Sequence, residues 1–340
     1  MQTVPLVHTT RGYPETGYAV ENVHMGSVAV VDTSGKLVWS AGDPAALTFT
    51  RSALKPFQAL PFVLADGPAR LGLSAAELAL MCASHSGEEI HLRAVASILG
   101  KIDLDETHLE CGCGIPLYYD AVGIAIPGQA WRPLHHNCSG KHSGFLAWCR
   151  LKGLPTGDYV HPAHPLQQEI RRTLALAAGM AESSMPMGID GCSAPNYALP
   201  LKNLAHLFAR LGSGRADPVF GAALGDLCDA MTGHPDMVSG QSRCDLAYMQ
   251  AGAGDWVSKV GADGVQAIGI RSAGLGIAIK IADGAPRALH TATFSVLDQL
   301  GLLDAGRRAL LQHYRQPPLK NVRGTIVGDI RPVLTLQRPR

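Results

Sequence analysis

Ser52 and Lys55 stand three residues apart in Arg51-Ser52-Ala53-Leu54-Lys55-Pro56-Phe57, where an extended run at 47–50 gives way to apolar residues at helical spacing. On a helix, positions i and i+3 share a face, so the Ser52 hydroxyl and the Lys55 amine can meet. A serine hydroxyl is a weak nucleophile until a base takes its proton, and a neutral lysine can be that base. Burial and the positive end of a helix dipole both favour the neutral form. Pro56 suits a first helical turn, whose N–H groups have no internal partner. Taken alone, Ser-x-x-Lys is a weak motif that an ordinary helix start explains equally well.

Two further elements give it meaning. Ser84-His85-Ser86 closes an apolar helical run, and Lys259-Val260-Gly261 lies in a strand-like segment near the far end. A helix-start Ser-x-x-Lys, a serine loop in the helical region and a late Lys-x-Gly strand make up penicillin-recognising and β-lactamase-type sites. All of them in order point to serine acyl transfer, with Ser52, Lys55, Ser84 and Lys259 as catalytic candidates. Val260 stands where β-lactamases carry Thr or Ser, and the second element lacks their Asn. Groups that help hold a β-lactam carboxylate are therefore missing, and a smaller amide is the better substrate.

The segments His135-His136-Asn137-Cys138-Ser139-Gly140-Lys141-His142 and Gly188-Ile189-Asp190-Gly191-Cys192 collect thiols and imidazoles. Zinc accepts both ligand types. Two buried cysteines in a tight loop account for the pattern as well, because no Cys-x-x-Cys or His-Glu-x-x-His spacing is present.

The elements that must position these groups follow from pattern. Residues 26–32 and 36–40 read as strands around a Thr33-Ser34-Gly35 turn. Helical spacing continues from Leu54, and Ser74 with Glu77 forms a capping box before the run at 78–83. Further helices are predicted at 88–99, 164–179, 198–211, 217–232, 241–251 and 292–315, with little regular structure at 110–144. Residues 256–261, 264–271 and 276–281 read as an antiparallel meander, and a short strand closes the tail near 324–327. Strands at both chain ends with helices between predict an α/β fold of the serine β-lactamase or penicillin-binding type: an antiparallel sheet from both chain ends plus a helical insert. The sheet domain would comprise residues 1–50 with 254–340, and the mostly helical domain residues 51–253.

Bulk properties narrow the function classes. A chain of 340 residues can bury a sizeable core. A net charge of +1 supplies no field for nucleic acid or an anionic membrane. With 46% apolar and 17% charged residues the composition is that of a globular enzyme. The first residues carry no basic-then-apolar leader pattern, and the eight cysteines show no disulfide-scaffold spacing. The expectation is a cytoplasmic protein with reduced cysteines that acts on a small molecule.

Arg51-Ser52-Ala53-Leu54-Lys55-Pro56, Cys82-Ala83-Ser84-His85-Ser86, His136-Asn137-Cys138-Ser139-Gly140-Lys141-His142, Ile189-Asp190-Gly191-Cys192 and Lys259-Val260-Gly261-Ala262-Asp263 together resemble the Rhizobium etli-type (class 3) L-asparaginases. The resemblance runs over nearly the whole chain. It implies hydrolysis of L-asparagine in a homodimer, with Ser–Lys tandems falling on Ser52–Lys55 and Ser84–Lys259. It also implies zinc held by Cys138, Lys141 and Cys192 in a structural or substrate-positioning role. Ser193, where the family carries glycine, departs from its pattern. Arg51, His85, Asp190 and Gly191 are the expected substrate contacts; Asp190 is available either for the α-amino group or for a proton one layer out. Two other readings fit parts of the chain: a penicillin-binding acyl transferase, and an amino-acid sensor built on an inactive enzyme. Intact Ser–Lys pairs speak against the sensor.

Overall fold

A computed structural model describes residues 2–339. Strands β1 (Val4–Tyr13), β2 (Gly17–Asp32) and β3 (Leu37–Ala41) form at the amino end. Strands β4 (Leu47–Phe49), β5 (Met187–Ile189) and β6 (Pro195–Pro200) make a small separate sheet in the order β4-β6-β5. Strands β7 (Trp256–Gly261), β8 (Val265–Ile270) and β9 (Leu275–Ile281) follow, and β10 (Pro318–Lys320) and β11 (Ile326–Pro332) close the chain. The main sheet runs β10-β11-β1-β2-β9-β8-β7, with β3 also paired to β2, and its pairings are antiparallel.

Alternation along the strands sends side chains to two cores. Val28, Val30, Ile268, Ile277 and Ile279 face the helices Cys244–Gly252, Pro286–Gln299 and Ala305–Arg315. Ala29, Val31, Ala267 and Ala278 face the helical region that the middle of the chain supplies. That second face is built from small residues because the helix Leu201–Ser213 lies almost against the backbone. A Cβ on Gly276 would sit 1.9 Å from the Ala205 carbonyl oxygen, and one on Gly269 would sit 2.2 Å from that of Phe208. Gly276→Ala is therefore expected to cost about 1–3 kcal/mol by forcing helix and sheet apart, which a shift of the urea midpoint at constant slope would report.

The capping box of Ser74 and Glu77 forms at the helix Ala75–Met81, with Ser74 N–H donating to Glu77 Oε2 at 2.7 Å. Several expectations are corrected. Strand β1 was not foreseen. The stretch at 198–211 begins as β6, whose Leu199 pairs with Thr48, and turns helical only after Pro200. The helix foreseen at 292–315 is two helices: Gly301 takes a φ of +70° and Asp304 caps the second by accepting from Arg307 N–H at 2.8 Å. The helix Ser139–Lys152 starts inside the stretch read as irregular, placing Lys141 and His142 on its first turns.

Candidate active site

The Ser52 turn is held under strain. Arg51 adopts a φ of +49°, uncommon for a residue with a side chain. Asn196 clamps it from both sides, accepting from Arg51 N–H and donating to Arg51 C=O, both at 3.0 Å. Residues Arg51–Leu54 form a 3₁₀ turn that runs into the α-helix Lys55–Leu64. Ser52 lies half-buried at its start, facing a cleft of about 540 Å³ that Ser84, Asn137, Arg243, Gly261 and Asp263 also line. No protein acceptor for the Ser52 backbone N–H is found among the described residues.

Lys55 is buried, but not on Ser52. Its Nζ donates to Ser84 Oγ at 2.9 Å, to the Ala83 carbonyl and to Cys138 Sγ at 3.1 Å. No Ser52–Lys55 hydrogen bond is found among the described residues; the lysine reaches from the first turn of its helix to the segment after the helix Ala75–Met81. Burial pushes the pKa of Lys55 below its usual value; Cys138 opposes this, while Lys141 and Lys259 add to it.

Lys259, expected to work in tandem with Ser84, has a carboxylate partner of its own. Lys259 and Asp245 are both 0% exposed and form an ion pair at 3.0 Å. Asp245 also accepts from Ser258 Oγ at 2.7 Å, Val260 N–H at 3.0 Å and Gln266 Nε2 at 3.3 Å. Burial pushes the Asp245 carboxyl up, yet the Lys259 charge and these donors outweigh it and hold the group below its usual range. Nothing in the sequence marks Asp245, which lies in no motif and becomes recognisable only when its helix docks under β7.

The expected substrate contacts are divided. Arg51 donates from Nε to Asp190 Oδ1 at 2.9 Å and pairs through Nη1 with Asp263. This pair lines a second depression of about 430 Å³ with Leu47, Phe49 and Ile189, separated from the Ser52 cleft by Ala262 and Asp263. Gly191 is exposed, and its N–H donates to Asp190 Oδ1 at 3.0 Å. His85, an expected substrate contact, is fully buried: Nε2 pairs with Ser139 Oγ at 2.8 Å, and Nδ1 accepts from Gly87 N–H at 3.1 Å. Both ring nitrogens are spent inside the protein.

Cys138, Lys141 and Cys192 come together behind Lys55. Lys141 Nζ donates to Cys192 Sγ at 2.9 Å, and the Cys138 thiol lies beside the same sulfur while donating to Asn137 Oδ1 at 3.6 Å. The neighbouring Cys138 and the Lys141 charge, against burial, hold the Cys192 thiol far below its usual value, while Cys138 is raised by Cys192 and by burial. Burial lowers Lys141, but the two cysteines outweigh it and keep it protonated. Among the described residues no group of three His, Cys, Asp or Glu side chains could hold a metal ion. The donor set here is instead two sulfurs and an amine, with His142 Nε2 buried beside Cys192 and otherwise unpartnered. Such donors suit zinc, whose binding would displace the protons on Lys141 and Cys138.

A sheet drawn from both chain ends, a helical middle, and a Ser-x-x-Lys turn set against a Lys-x-Gly strand make this a serine β-lactamase or penicillin-binding-like fold. The L-asparaginase II family model matches residues 7–332, and the chain belongs to that family. A search among curated sequences finds no relative that matches the chain. Among solved structures, Mglu in its native form is 14% identical with a TM-score of 0.46 over 82% of this chain and 66% of its own. The chain thus spans just under two thirds of the length of that protein. A β-lactamase from Mycobacterium bovis is 17% identical with a TM-score of 0.41 over 85% of this chain and 95% of its own. At TM-scores below 0.5 these similarities decide nothing about this chain.

Proposed function

We propose that the protein hydrolyses L-asparagine to L-aspartate and ammonia through an acyl-enzyme on Ser52, as an enzyme of the Rhizobium etli type. Ser52 Oγ attacks the side-chain amide carbon while its proton passes to neutral Lys55, with Ser84 as the hydroxyl already bonded to that amine. The oxyanion is met by the Ser52 backbone N–H. Collapse of the adduct breaks the C–N bond, and the amine's proton leaves with ammonia. Water then attacks the aspartyl ester with Lys55 again as base, releasing aspartate and restoring Ser52. Lys259, fixed by Asp245, supplies positive charge near Lys55 and helps keep that amine neutral.

The observation that carries this reading is a buried lysine of lowered pKa bonded to the Ser84 hydroxyl, with the Ser52 hydroxyl lining the same cleft. A specific contact favours a second reading, in which Ser84 is the nucleophile, because Lys55 bonds it directly. Rapid quenching with L-asparagine, followed by peptide mass mapping, tests both: an aspartyl adduct on the Ser52 peptide supports the first, and one on the Ser84 peptide the second. Ammonia release from L-glutamine and hydrolysis of a chromogenic β-lactam, run alongside, test the substrate class.

Zinc is proposed at Cys138, Lys141 and Cys192, which would hold the ion; when bound it would supply a cross-link between the loop at 188–192 and the start of the helix Ser139–Lys152. Cys192→Ser is expected to remove nearly all bound zinc, measured by elemental analysis of purified protein, and to lower the thermal midpoint. Asp190 retains two candidate duties, toward the α-amino group or toward a proton one layer out. A cytoplasmic homodimer completes the reading. The exposed apolar side chains of Leu47, Phe49 and Ile189 on the small sheet support it, since contiguous exposed apolar surface marks interfaces. Among the described residues no helix is long and apolar enough to cross a membrane.

A further inference from the structure

We infer that Arg243 anchors the α-carboxylate of the substrate, an assignment that rests on the amino-acid-amide reading above. A free amino-acid substrate brings a full negative charge into the cleft, and burying it requires a cationic partner. The other cations near the cleft are committed. Lys55 bonds Ser84 and Cys138, Lys259 is paired with Asp245, Arg51 is shared between Asp190 and Asp263, and Lys280 donates to the Asp263 carbonyl. Arg243 lines the same cleft as Ser52 and Ser84 and is half-buried. No ion pair or hydrogen bond from its guanidinium to the protein is found among the described residues.

The backbone that carries this side chain is held in place. The loop at 238–243 is pinned to the Ser84 segment. Ser84 N–H donates to Val238 C=O at 3.0 Å, Ser86 Oγ to Ser239 C=O at 2.6 Å, and Gln241 N–H to Glu88 Oε1 at 2.9 Å. Gly240, at a φ of +103°, packs so closely that a Cβ would lie 1.8 Å from Ser86 Oγ. Ser242 takes a φ of +58°, a strained conformation for serine, immediately before Arg243. Arg243 then precedes the helix Cys244–Gly252, whose Asp245 holds Lys259. The Arg243 backbone is thus tied to the Ser84 segment on one side and, through Asp245, to Lys259 on the other, while the guanidinium stays free for a planar carboxylate.

The test compares wild type, Arg243→Gln and Arg243→Lys on L-asparagine and on L-asparagine methyl ester, following side-chain ammonia. Arg243→Gln is expected to raise KM for L-asparagine about 10- to 100-fold with kcat within about threefold, and to leave kcat/KM for the ester unchanged. Arg243→Lys is expected to recover part of the loss at an unchanged thermal midpoint. An unaltered KM, or equal losses on both substrates, overturns the assignment. Absence of ammonia release from wild type would instead defeat the asparaginase reading, and calorimetric titration with L-aspartate then decides. Binding that is lost in Arg243→Gln upholds the anchor, whereas equal binding, or none to wild type, overturns it.

Discussion

Ammonia release from L-asparagine is expected to fall on the order of 10⁴- to 10⁶-fold in Ser52→Ala, the scale seen when a nucleophile is removed from a cooperating catalytic unit. The fold should not notice. Ser52 is half-buried and no side-chain hydrogen bond to it is found among the described residues, so no buried partner is orphaned by the change. Arg51 and Asn196 still hold the turn through backbone contacts. Ser84→Ala is also expected to lose activity, by a smaller factor, because Lys55 would keep its contacts to Ala83 and Cys138 but lose the hydroxyl it now bonds. Initial rates at saturating asparagine separate the cases. Near-normal turnover in Ser52→Ala with an inactive Ser84→Ala would transfer the nucleophile to Ser84.

Asp245→Asn is expected to destabilise the protein by about 3–5 kcal/mol, since it leaves the Lys259 ammonium buried and unpaired. The neutral amide also presents an N–H₂ group in a place where Lys259, Ser258, Val260 N–H and Gln266 all donate, so one donor must face another. Urea denaturation measures the loss. Asp245→Asn combined with Lys259→Met should recover part of it, because removing both charges cancels the burial cost of each. The effect has a defined pH window. The folded-state carboxyl of Asp245 lies below its ordinary value of 3.8, so its stabilising contribution is present above that pH and disappears as pH falls through the lower folded value. In Asp245→Asn that part of the acid dependence should vanish, while stability near neutral pH is already reduced.

Local signals determined much of this protein. Helical spacing from Leu54 and the position of Pro56 placed Ser52 and Lys55 at the start of a helix, and the Ser74–Glu77 capping box located the next one. Alternating apolar residues at 256–281 specified a meander that forms as β7, β8 and β9. These features depend on interactions within a few residues, which composition and periodicity encode directly. Partner choice was decided elsewhere. Lys55 bonds Ser84 across 29 positions, Lys141 meets Cys192 across 51, and Lys259 pairs with Asp245 across 14, in a different element. A buried charge takes whichever partner the packed helices bring within about 3 Å, and that depends on how the helix Leu201–Ser213 seats on Gly269 and Gly276 and how Asn196 clamps Arg51. Residue types and order therefore specified the chemistry available to the chain, while the long-range packing of its helices on the sheet decided which hydroxyl, carboxylate and thiol each lysine meets.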